Sequence, residues 1–476
     1  MSGEETQQAT ASTPVDEGAI AAFERRFDGT VVRPGDPAYR NARRVWNGMV
    51  NRYPALIAEC AGVGDVVEAV NFAREHDVDV AVRGGGHNVA GNATIDGGLV
   101  IDLSAMDAVD VDPEMRTVRA EGGATWADVD RLTQRFGLAT PGGVVSDTGI
   151  AGLTLGGGMG HLRRKYGLSS DNLVSANVVT ADGDLVVASG DRNEDLFWAL
   201  RGGGGNFGVV TSFEYRLHEV GPEVATLFVW YPGESAVDVL RQFRDWAADA
   251  PDEVSALPFY AWVPPLEEFP EDQWGAPALA IIGMYAADPD EGMEVLGEVC
   301  GFTTPIVDFS GPMNYVELQR LLDEDYPHGR YYYWKSLYLD NLEDDVIERI
   351  VELSAESPST LSTVDLWHLG GAIETMDEDA TAYARRDAPY LLNFEANWDD
   401  PRETNENVAW VRDGLDAMRD LAATGGLYVN FPGFGEEGEA LLRDAYGDNY
   451  DRLVDVKTKY DPENVFRSNQ NIPPAA

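Results

Sequence analysis

The stretch of sequence that decides the fold is Arg83-Gly84-Gly85-Gly86-His87-Asn88. It follows an apolar run, Val78-Asp79-Val80-Ala81-Val82, whose alternation predicts a strand. Three glycines at the end of a strand allow positive φ angles and bring bare backbone N–H groups against a ligand. Such N–H concavities bind phosphate and other anions. The stretch therefore predicts a phosphorylated cofactor with a histidine beside it.

Glycine recurs in two further clusters. The second runs from Gly149 to Gly160 and the third from Gly202 to Gly208. The third cluster contains the G-x-G-x-x-G spacing of dinucleotide-binding turns, but a helix should follow such a turn in a Rossmann unit. The strand-like residues 209–215 follow instead, so we reject a Rossmann unit. One cluster alone is typical of a tight turn, whereas three clusters with a histidine favour a large cofactor.

Length and composition are those of a globular protein with two domains. The chain has 476 residues, of which 44% are hydrophobic, and each half is long enough to bury a core. Residues 1–15 are polar and lack the apolar stretch of a signal peptide. No later segment is long and apolar enough to predict a membrane span. We therefore expect a cytoplasmic protein without a membrane partner.

Cysteine and histidine give no metal pattern. The two cysteines, Cys60 and Cys300, lie far apart and predict neither a disulfide framework nor a metal site. The six histidines show no spacing such as H-E-x-x-H. A bound metal is therefore not expected.

The charge is strongly negative. The formal net charge is -47 and the sequence pI is about 4.2, with acidic residues scattered along the chain. This distribution predicts a solvated acidic surface, similar to the surfaces of proteins from salt-loving organisms, where salt screens the self-repulsion. Nucleic acid is excluded as a partner because its phosphates would be repelled.

The patterning changes near residue 220. Before it, the chain mixes short strands, glycine turns and a few helices, including helical patterns over 19–27 and 65–75, without a regular βαβ rhythm. After residue 221 the glycine clusters end, and aromatic strands such as 226–231 alternate with helical segments such as 235–248. A second domain is therefore predicted to begin there and to bind the substrate.

Motifs spread over nearly the whole chain resemble a known family. They start at Trp46-Asn47-Gly48-Met49, include the glycine clusters, and end with Asn469-Gln470-Asn471-Ile472-Pro473. The ordered set is similar to the FAD-linked oxidoreductases of the berberine-bridge-enzyme type. The resemblance implies an α+β fold with a two-part FAD-binding domain of the vanillyl-alcohol-oxidase type, formed by 1–220 and 440–476. Residues 221–439 would form an α+β substrate domain with an antiparallel sheet.

The same resemblance implies how the cofactor is held. In the family, the histidine of the R-G-G-G-H motif is bonded covalently to the flavin 8α carbon, which implies that His87 carries FAD. Many relatives add a second bond from a cysteine ahead of the second glycine cluster. Val145 matches that position here, so we expect a single covalent link.

The residues predicted to contact FAD come from the resemblance and from the need for N–H donors at the pyrophosphate. Ordinary turn or cap chemistry is the alternative for each of them. They are Arg83, Gly84, Gly85, Gly86, His87, Asn88, Ser146, Asp147, Gly149, Gly152, Gly156, Gly157, Gly158, Gly160, Asp171, Asn172, Gly208, Asn469 and Asn471.

The predicted catalytic residues lie in the substrate domain. Flavin oxidation of an alcohol needs a base for the O–H while hydride leaves carbon. Residues 427–431 resemble the Y-x-N strand of relatives, so Tyr428 is the candidate base; an ordinary strand aromatic is the alternative. A tyrosine base needs a nearby cation, and Lys335 is a candidate because residues 390–398 lack the lysine of some relatives. Asn393 and Glu395 share a strand face by period two and are predicted to line the site.

Together these features predict an FAD-dependent oxidoreductase. It would remove hydride from an alcohol, sugar or related small molecule and pass the electrons to oxygen or another acceptor. Thr148 occupies the position before Gly149 that affects oxygen access in relatives, and it leaves oxidase and dehydrogenase both open. The alternative is a flavin-binding protein without oxidative turnover, or with a non-oxidative activity, that keeps His87 but lacks a working base.

Overall fold

The computed structural model describes residues 16–421, 425–436 and 438–475. The polar segment 1–15, predicted not to be a signal peptide, lies outside the described residues. Within the described ranges, no helix is long and apolar enough to cross a bilayer.

The chain begins with a small sheet around the first glycine cluster. Helix α1 (Glu17–Glu24) corresponds to the predicted helix over 19–27, and the short α2 (Tyr39–Ala42) follows the first strand. The strands are β1 (Thr30–Val32), β2 (Leu56–Glu59), β3 (Val80–Arg83) and β4 (Leu99–Asp102), in the order β1-β2-β4-β3. Helix α3 (Val63–His76) connects β2 to β3 and packs Val66 and Val70 into the core. The glycines therefore leave the sheet at the end of β3.

A second sheet carries the other two glycine clusters. Its strands are β5 (Val109–Asp112), β6 (Thr117–Glu121), β8 (Leu173–Val179), β9 (Leu185–Ser189) and β10 (Val209–Arg216), antiparallel in the order β5-β6-β10-β8-β9. A separate pair joins β7 (Leu138–Ala139) to β11 (His218–Glu219). The helices are α4 (Trp126–Thr133), α5 (Ile150–Leu155), α6 (Arg163–Tyr166) and α7 (Glu194–Leu200). Because β10 follows the third glycine cluster directly, the rejection of a Rossmann unit is confirmed.

A larger sheet follows within residues 223–398. Among the described residues it has eight antiparallel strands, in the order β15-β12-β14-β13-β18-β19-β17 with β16 also paired to β12. They are β12 (Glu223–Pro232), β13 (Val254–Trp262), β14 (Pro277–Tyr285), β15 (Val307–Asp308), β16 (Gly311–Asn314), β17 (Tyr331–Leu339), β18 (Thr363–His368) and β19 (Tyr390–Trp398). The helices of this region are α8 (Ala236–Ala247), α9 (Pro289–Cys300), α10 (Tyr315–Leu318), α11 (Asp344–Ala355) and α12 (Thr404–Arg419).

The two faces of this sheet differ in what covers them. One face packs against the helices: Phe243 of α8, Ile347 of α11 and Leu415 of α12 share a core with the strand residues Leu392 and Phe394. Side chains alternate along a strand, so the neighbouring positions point to the opposite face. That face packs partly against the glycine-rich region, where Met159 and Leu168 meet Leu257, Trp367 and Leu391 of the sheet.

The end of the chain returns to the first part of the molecule. Helices α13 (Glu439–Tyr446) and α14 (Tyr450–Tyr460) bury Tyr446 and Leu453 in the same core as Leu196 of α7 and Phe213 of β10. The architecture is α+β with mixed and antiparallel sheets, as predicted.

The structure corrects one predicted element: residues 427–431 are not a strand. Among the described residues, the β-bridge nearest to this segment joins Tyr338 to Gly425, which precedes it. The backbone N–H of Tyr428 donates instead to the Ser336 hydroxyl at 3.0 Å, and the Phe431 N–H closes a turn onto the Tyr428 carbonyl at 2.9 Å. Pro432 follows and has no N–H for a ladder, so an aromatic-rich segment takes an irregular path.

Candidate active site and cofactor cavity

A long cavity lies between the glycine-rich region and the face of the large sheet that the helices leave open. All three glycine clusters and the closing segment contribute to its walls, and β17, β18 and β19 line one end. The lining residues used below are Trp46, Gly84, Gly85, Gly86, His87, Asn88, Val145, Thr148, Gly149, Gly152, Gly156, Gly204, Gly205, Gly208, Tyr326, Trp334, Asp365, Trp367, Glu395, Tyr428, Phe431, Tyr446, Asn469 and Gln470.

The glycines are required where the first two clusters meet. A Cβ on Gly85 would lie 2.4 Å from the backbone nitrogen of Gly149, and a Cβ on Gly149 would lie 2.4 Å from that of Gly85. Both distances are far inside van der Waals contact, so no side chain fits at either position. Gly86 also has a φ of 71°, in the left-handed region that glycine adopts without strain. The two turns therefore bring backbone against backbone at the cavity wall.

The far end of the cavity holds polar atoms that lack protein partners. The Tyr446 hydroxyl, Asn469 Oδ1 and Gln470 Nε2 are buried and, within the part of the chain that the structure describes, make no hydrogen bond. Buried polar groups are normally paired, so these atoms indicate a polar ligand. A long ligand with a polar end and a phosphate-bearing middle against glycine backbone fits this cavity, and FAD has that chemistry.

His87 lies at the junction of the first and second clusters with its ring clamped. The imidazole stacks on Trp46, with ring centroids 4.9 Å apart and planes 18° apart. Trp46 in turn stacks on Tyr332 at 3.7 Å, and its indole N–H donates to the Tyr326 carbonyl at 2.8 Å. His87 Nδ1 lies 3.5 Å from Thr148 Oγ1. The ring is thus held in one plane at the cavity wall.

Asp147 joins His87 to a second histidine. Its Oδ1 lies 3.0 Å from His87 Nε2, and its Oδ2 lies 2.9 Å from His328 Nε2. Burial alone would raise the pKa of Asp147, but its contacts with His328 and His87 outweigh burial and hold that pKa below its ordinary value. The carboxylate is therefore ionised at neutral pH. Among the described residues, these three side chains also place their ligand atoms within 4.8 Å of one another.

The other end of the cavity contains two carboxyl groups. Glu395 of β19 accepts a hydrogen bond from the Tyr326 hydroxyl at 2.7 Å and another from Asn393 Nδ2 at 2.6 Å. Asp365 of β18 lies close enough to Glu395 for the two carboxyl groups to influence each other's protonation. Asn393 lies opposite Asp365 in the register of the two strands. Asn393 and Glu395 therefore share a face, as period two predicts, and Asp365 joins them from the neighbouring strand.

Burial controls the protonation of this carboxyl pair. Both side chains are almost entirely buried. Burial raises the pKa of Glu395 well above its ordinary value, and the nearby charge of Asp365 adds to the effect. Burial raises the pKa of Asp365 as well. Two neighbouring carboxylates in a dry site cannot both ionise easily, so the pair retains a proton near neutral pH.

Tyr428 lines the cavity but lacks the features of a base. Its hydroxyl oxygen accepts hydrogen bonds from the Gly158 N–H at 2.9 Å and from Asn430 Nδ2 at 2.8 Å. Burial raises the pKa of Tyr428 to about 12. Lys335, the predicted candidate cation, donates to Glu436 Oε2 at 3.0 Å and does not line the cavity. The phenol is therefore protonated at neutral pH.

The structure divides the predicted FAD contacts into two groups. Those that line the cavity are Gly84, Gly85, Gly86, His87, Asn88, Gly149, Gly152, Gly156, Gly208 and Asn469. Those that do not are Arg83, Ser146, Asp147, Gly157, Gly158, Gly160, Asp171, Asn172 and Asn471. Several of the second group bind protein groups instead.

Three examples show where these polar side chains go. The Arg83 guanidinium pairs with Asp102. Asp171 pairs with Arg386 at 2.7 Å in a buried salt bridge. Asn172 Oδ1 lies 2.7 Å from His218 Nε2. In each case a partner distant in sequence satisfies the group, which is structural and not directed to the cavity.

The fold and the cavity are those of a flavoprotein oxidoreductase, and comparisons with known proteins agree. The sequence matches the FAD binding domain family over residues 54–189 and the berberine and berberine-like family over residues 427–473. It is 33% identical to an FAD-linked oxidoreductase of Dictyostelium discoideum over 475 residues, covering 99% of both chains. The chain belongs to the berberine-bridge-enzyme-like family of FAD-linked oxidoreductases. This confirms the predicted family, fold class and enzyme class.

Solved structures show the same fold. The 6-hydroxy-D-nicotine oxidase of Arthrobacter nicotinovorans superposes with a TM-score of 0.85 at 29% identity, covering 94% of this chain and 98% of that one. The glucooligosaccharide oxidase of Acremonium strictum, which carries a 6-S-cysteinyl, 8α-N1-histidyl FAD, has a TM-score of 0.85 at 24% identity. It covers 96% of this chain and 99% of that one.

Sequence reasoning missed Asp365 and His328. Asp365 was detectable as the one charged residue in the strand Thr363-Val364-Asp365-Leu366-Trp367, because an unpaired acid in a buried strand is costly unless it has a role. His328 gives no such signal, since it lies in a polar loop 181 residues from Asp147.

Proposed function

We propose that this enzyme holds FAD through one covalent bond to His87 and oxidises a small molecule at a C–H bond beside a hydroxyl or amino group. The observation that carries the proposal is that one cavity is lined both by His87 and by the Asp365–Glu395 carboxyl pair. When bound, FAD supplies the hydride acceptor. Val145, at the position of the second tether in relatives, has no nucleophile, which supports a single link.

The carboxyl pair supplies the base in this proposal. Both Glu395 oxygens already accept hydrogen bonds, from Tyr326 and Asn393. Asp365 Oδ1 is buried and, among the described residues, has no hydrogen-bond partner. A substrate O–H or N–H can therefore donate to Asp365 Oδ1, and its proton passes into the pair as hydride leaves the adjacent carbon. Raised pKa values suit both carboxyl groups to this task near neutral pH.

Tyr428 has a different part in this proposal. Its protonated hydroxyl fixes the turn at Gly158 and lies at the same end of the cavity as Phe431. A phenol that accepts two hydrogen bonds can still donate one to a substrate oxygen or nitrogen. We therefore propose Tyr428 as a residue that orients the substrate and does not remove its proton.

The same cavity favours a neutral or cationic substrate. Within the described part of the chain, no lysine or arginine lines the cavity, so a substrate carboxylate or phosphate would find no counter-ion near Asp365 and Glu395. Trp334 and Trp367 offer flat aromatic faces beside the carboxyl pair, and such faces bind apolar rings and cations. Sugars, alcohols and amines are compatible with these groups, whereas acids are not.

Anaerobic reduction of the flavin tests the proposal. The panel would be aromatic and sugar compounds with an oxidisable hydroxymethyl or aminomethyl group, each with and without an additional carboxylate. We expect bleaching by an alcohol or amine member and none by the acids. Bleaching by no member would leave a flavin-binding protein without oxidative turnover, and bleaching only by acids would contradict the predicted charge preference.

Two further proposals concern organisation and habitat. Residues 1–220 and 440–476 would form the FAD-binding domain and 221–439 the substrate domain; the core shared by α13, α14 and β10 supports this division. The net charge of -47 supports function at high salt. Thermal melting between 0.1 and 2 M salt should therefore show stabilisation by salt, and the absence of any rise would contradict the proposed habitat.

A further inference from the structure

The His87 ring is fixed in two independent ways. Stacking on Trp46 sets the plane of the imidazole, and Trp46 cannot tilt because Tyr332 covers its other side. Rotation within that plane is set by Asp147, whose Oδ1 lies 3.0 Å from Nε2. The His87 side chain is only 11% exposed, so bulk water does not replace these contacts.

Asp147 is itself held by a residue from the other half of the chain. His328 lies in the loop before β17, and its Nε2 reaches Asp147 Oδ2 at 2.9 Å. The two imidazoles meet edge to face, with ring centroids 5.4 Å apart. Asp147 Oδ2 is thus hydrogen-bonded to His328, which leaves Oδ1 facing His87 Nε2 at ion-pair distance.

This arrangement determines which nitrogen of His87 can react. An anionic carboxylate beside Nε2 favours the tautomer with its proton on Nε2, and this leaves the lone pair on Nδ1. Nδ1 lies beside Thr148 at the cavity wall. Resting on the proposed covalent link, we propose that Asp147 and His328 are positioning residues that direct His87 Nδ1 to the flavin and so promote its attachment.

The attachment step needs no oxidant beyond the electron acceptor that turnover already requires. One N–C bond forms between His87 Nδ1 and the flavin 8α-methyl carbon, while one methyl C–H bond and the imidazole N–H bond break. The proton on Nε2 leaves through Asp147. The flavin gains two electrons and two protons in all, and dioxygen or another two-electron acceptor then removes them.

A metal ion is the competing use of the same three side chains. Each Asp147 oxygen lies within 3.0 Å of an imidazole nitrogen, so a proton on each ring can take the place that an ion would occupy. Metal content of the purified enzyme, measured after passage through chelating resin, distinguishes the two. We expect less than a tenth of an equivalent, and a stoichiometric metal would overturn the positioning role.

The main experiment follows attachment itself. Apoprotein is mixed with FAD in air, and flavin that survives acid precipitation is measured with time, alongside the total FAD bound under native conditions. We expect Asp147→Ala to bind FAD but to attach it at least about 10-fold more slowly. His328→Ala should show a smaller slowing. Because Asp147 is 46% exposed, added formate should partly restore the rate in Asp147→Ala.

Asp323→Asn is the matched control. Asp323 binds the same loop, accepting from the Ser146 N–H and hydroxyl at 2.7 Å each, yet it does not contact His87. Attachment at the wild-type rate in Asp323→Asn supports a role specific to Asp147. Asp147→Asn, which preserves shape, should bind FAD and attach it slowly even if the alanine variant folds poorly.

The flavin attached to the Asp147 and His87 variants distinguishes the positioning role of Asp147 from the covalent link at His87. If Asp147→Ala and Asp147→Asn attach flavin at the wild-type rate while His87→Ala attaches none, the positioning role is wrong and the link stands. If His87→Ala retains acid-stable flavin, the link itself is wrong.

Discussion

Two carboxylate sites, one beside His87 outside the cavity and one within the cavity, show how the environment sets the charge of the same functional group. Asp147 is half-exposed, and the contacts with two histidines hold its pKa below the ordinary value. Asp365 and Glu395 are buried among aromatic rings without a cation, and burial raises their pKa values. Asp147 keeps its charge and orients the neighbouring imidazole. Asp365 and Glu395, whose pKa values burial raises, can exchange protons with a substrate.

The difference arises from which elements meet at each site. At Asp147 a loop of the glycine-rich region meets the loop before β17, so the carboxylate contacts two histidines and stays partly exposed to solvent. At Asp365 and Glu395 two neighbouring strands bring their acids together on a face that the fold covers. Contacts with the histidines set the direction of the pKa shift of Asp147, whereas desolvation sets that of Asp365 and Glu395.

The largest effect is expected from removing the base. Asp365→Asn should slow anaerobic flavin reduction by a saturating substrate by about 10²- to 10⁴-fold, because the pair loses the oxygen that receives the substrate proton, while bound FAD is unchanged. Stopped-flow absorbance would measure it. Glu436→Gln is the control: its carboxylate binds Lys335 outside the cavity. Equal rates for Asp365→Asn and wild type would rule out Asp365 as the base.

The pH dependence of the flavin reduction rate should reveal the titration of the Asp365–Glu395 pair. A base works only when deprotonated, so the wild-type reduction rate should rise about tenfold per pH unit below the raised pKa of the pair and then level off. Asp365→Asn should shift or flatten this rise, since one partner of the coupled pair is gone. A wild-type rate that falls as pH increases through neutrality would contradict the assignment.

The pH dependence of the free energy of unfolding should reveal the cost of burying Asp365 and Glu395. Because the folded-state pKa values lie above the unfolded ones, folding binds protons, and the wild type loses stability as pH rises through the folded pKa. Asp365→Asn removes the part of this loss that comes from Asp365. The variant should therefore gain at least about 1 kcal/mol relative to wild type between pH 5 and pH 9, measured by urea unfolding. A constant difference across that range would show that the acids are not desolvated.

The smallest effect belongs to the other site. Asp147→Ala should lower the free energy of unfolding by no more than about 1 kcal/mol, because half-exposed ion pairs are screened by solvent. The same urea titrations would measure it at pH 7. A loss of several kcal/mol would mean that the cluster is a structural lock between the two halves of the chain.

Much of the cofactor end was predictable because its signal is local. The strand–glycine–histidine order at residues 78–88 requires nothing distant, and its turn lies at the cavity wall as expected. The alternation that placed Asn393 and Glu395 on one face is likewise a property of one strand. Glycine spacing also gave the correct choice against a Rossmann unit, because β10 follows immediately in sequence.

The rest depends on partners that lie far apart in the chain. Asp365 meets Glu395 only through the pairing of β18 with β19. Asp171 forms its salt bridge with Arg386, 215 residues away in the chain. The sequence could not show this partner, so Asp171 was predicted to contact the cofactor. Tyr428 looked like a strand residue, yet its backbone bonds to the Ser336 side chain override β propensity. Lys335 was predicted as the cation near Tyr428, but its ammonium group pairs with Glu436 instead.

Covalent attachment at His87 is tested by the flavin content of acid-precipitated wild type and His87→Ala. We predict a yellow wild-type pellet with close to one flavin per chain, and a colourless His87→Ala pellet with its FAD in the supernatant. A wild-type pellet that loses its flavin, or a His87→Ala pellet that keeps it, would show that His87 does not carry the cofactor.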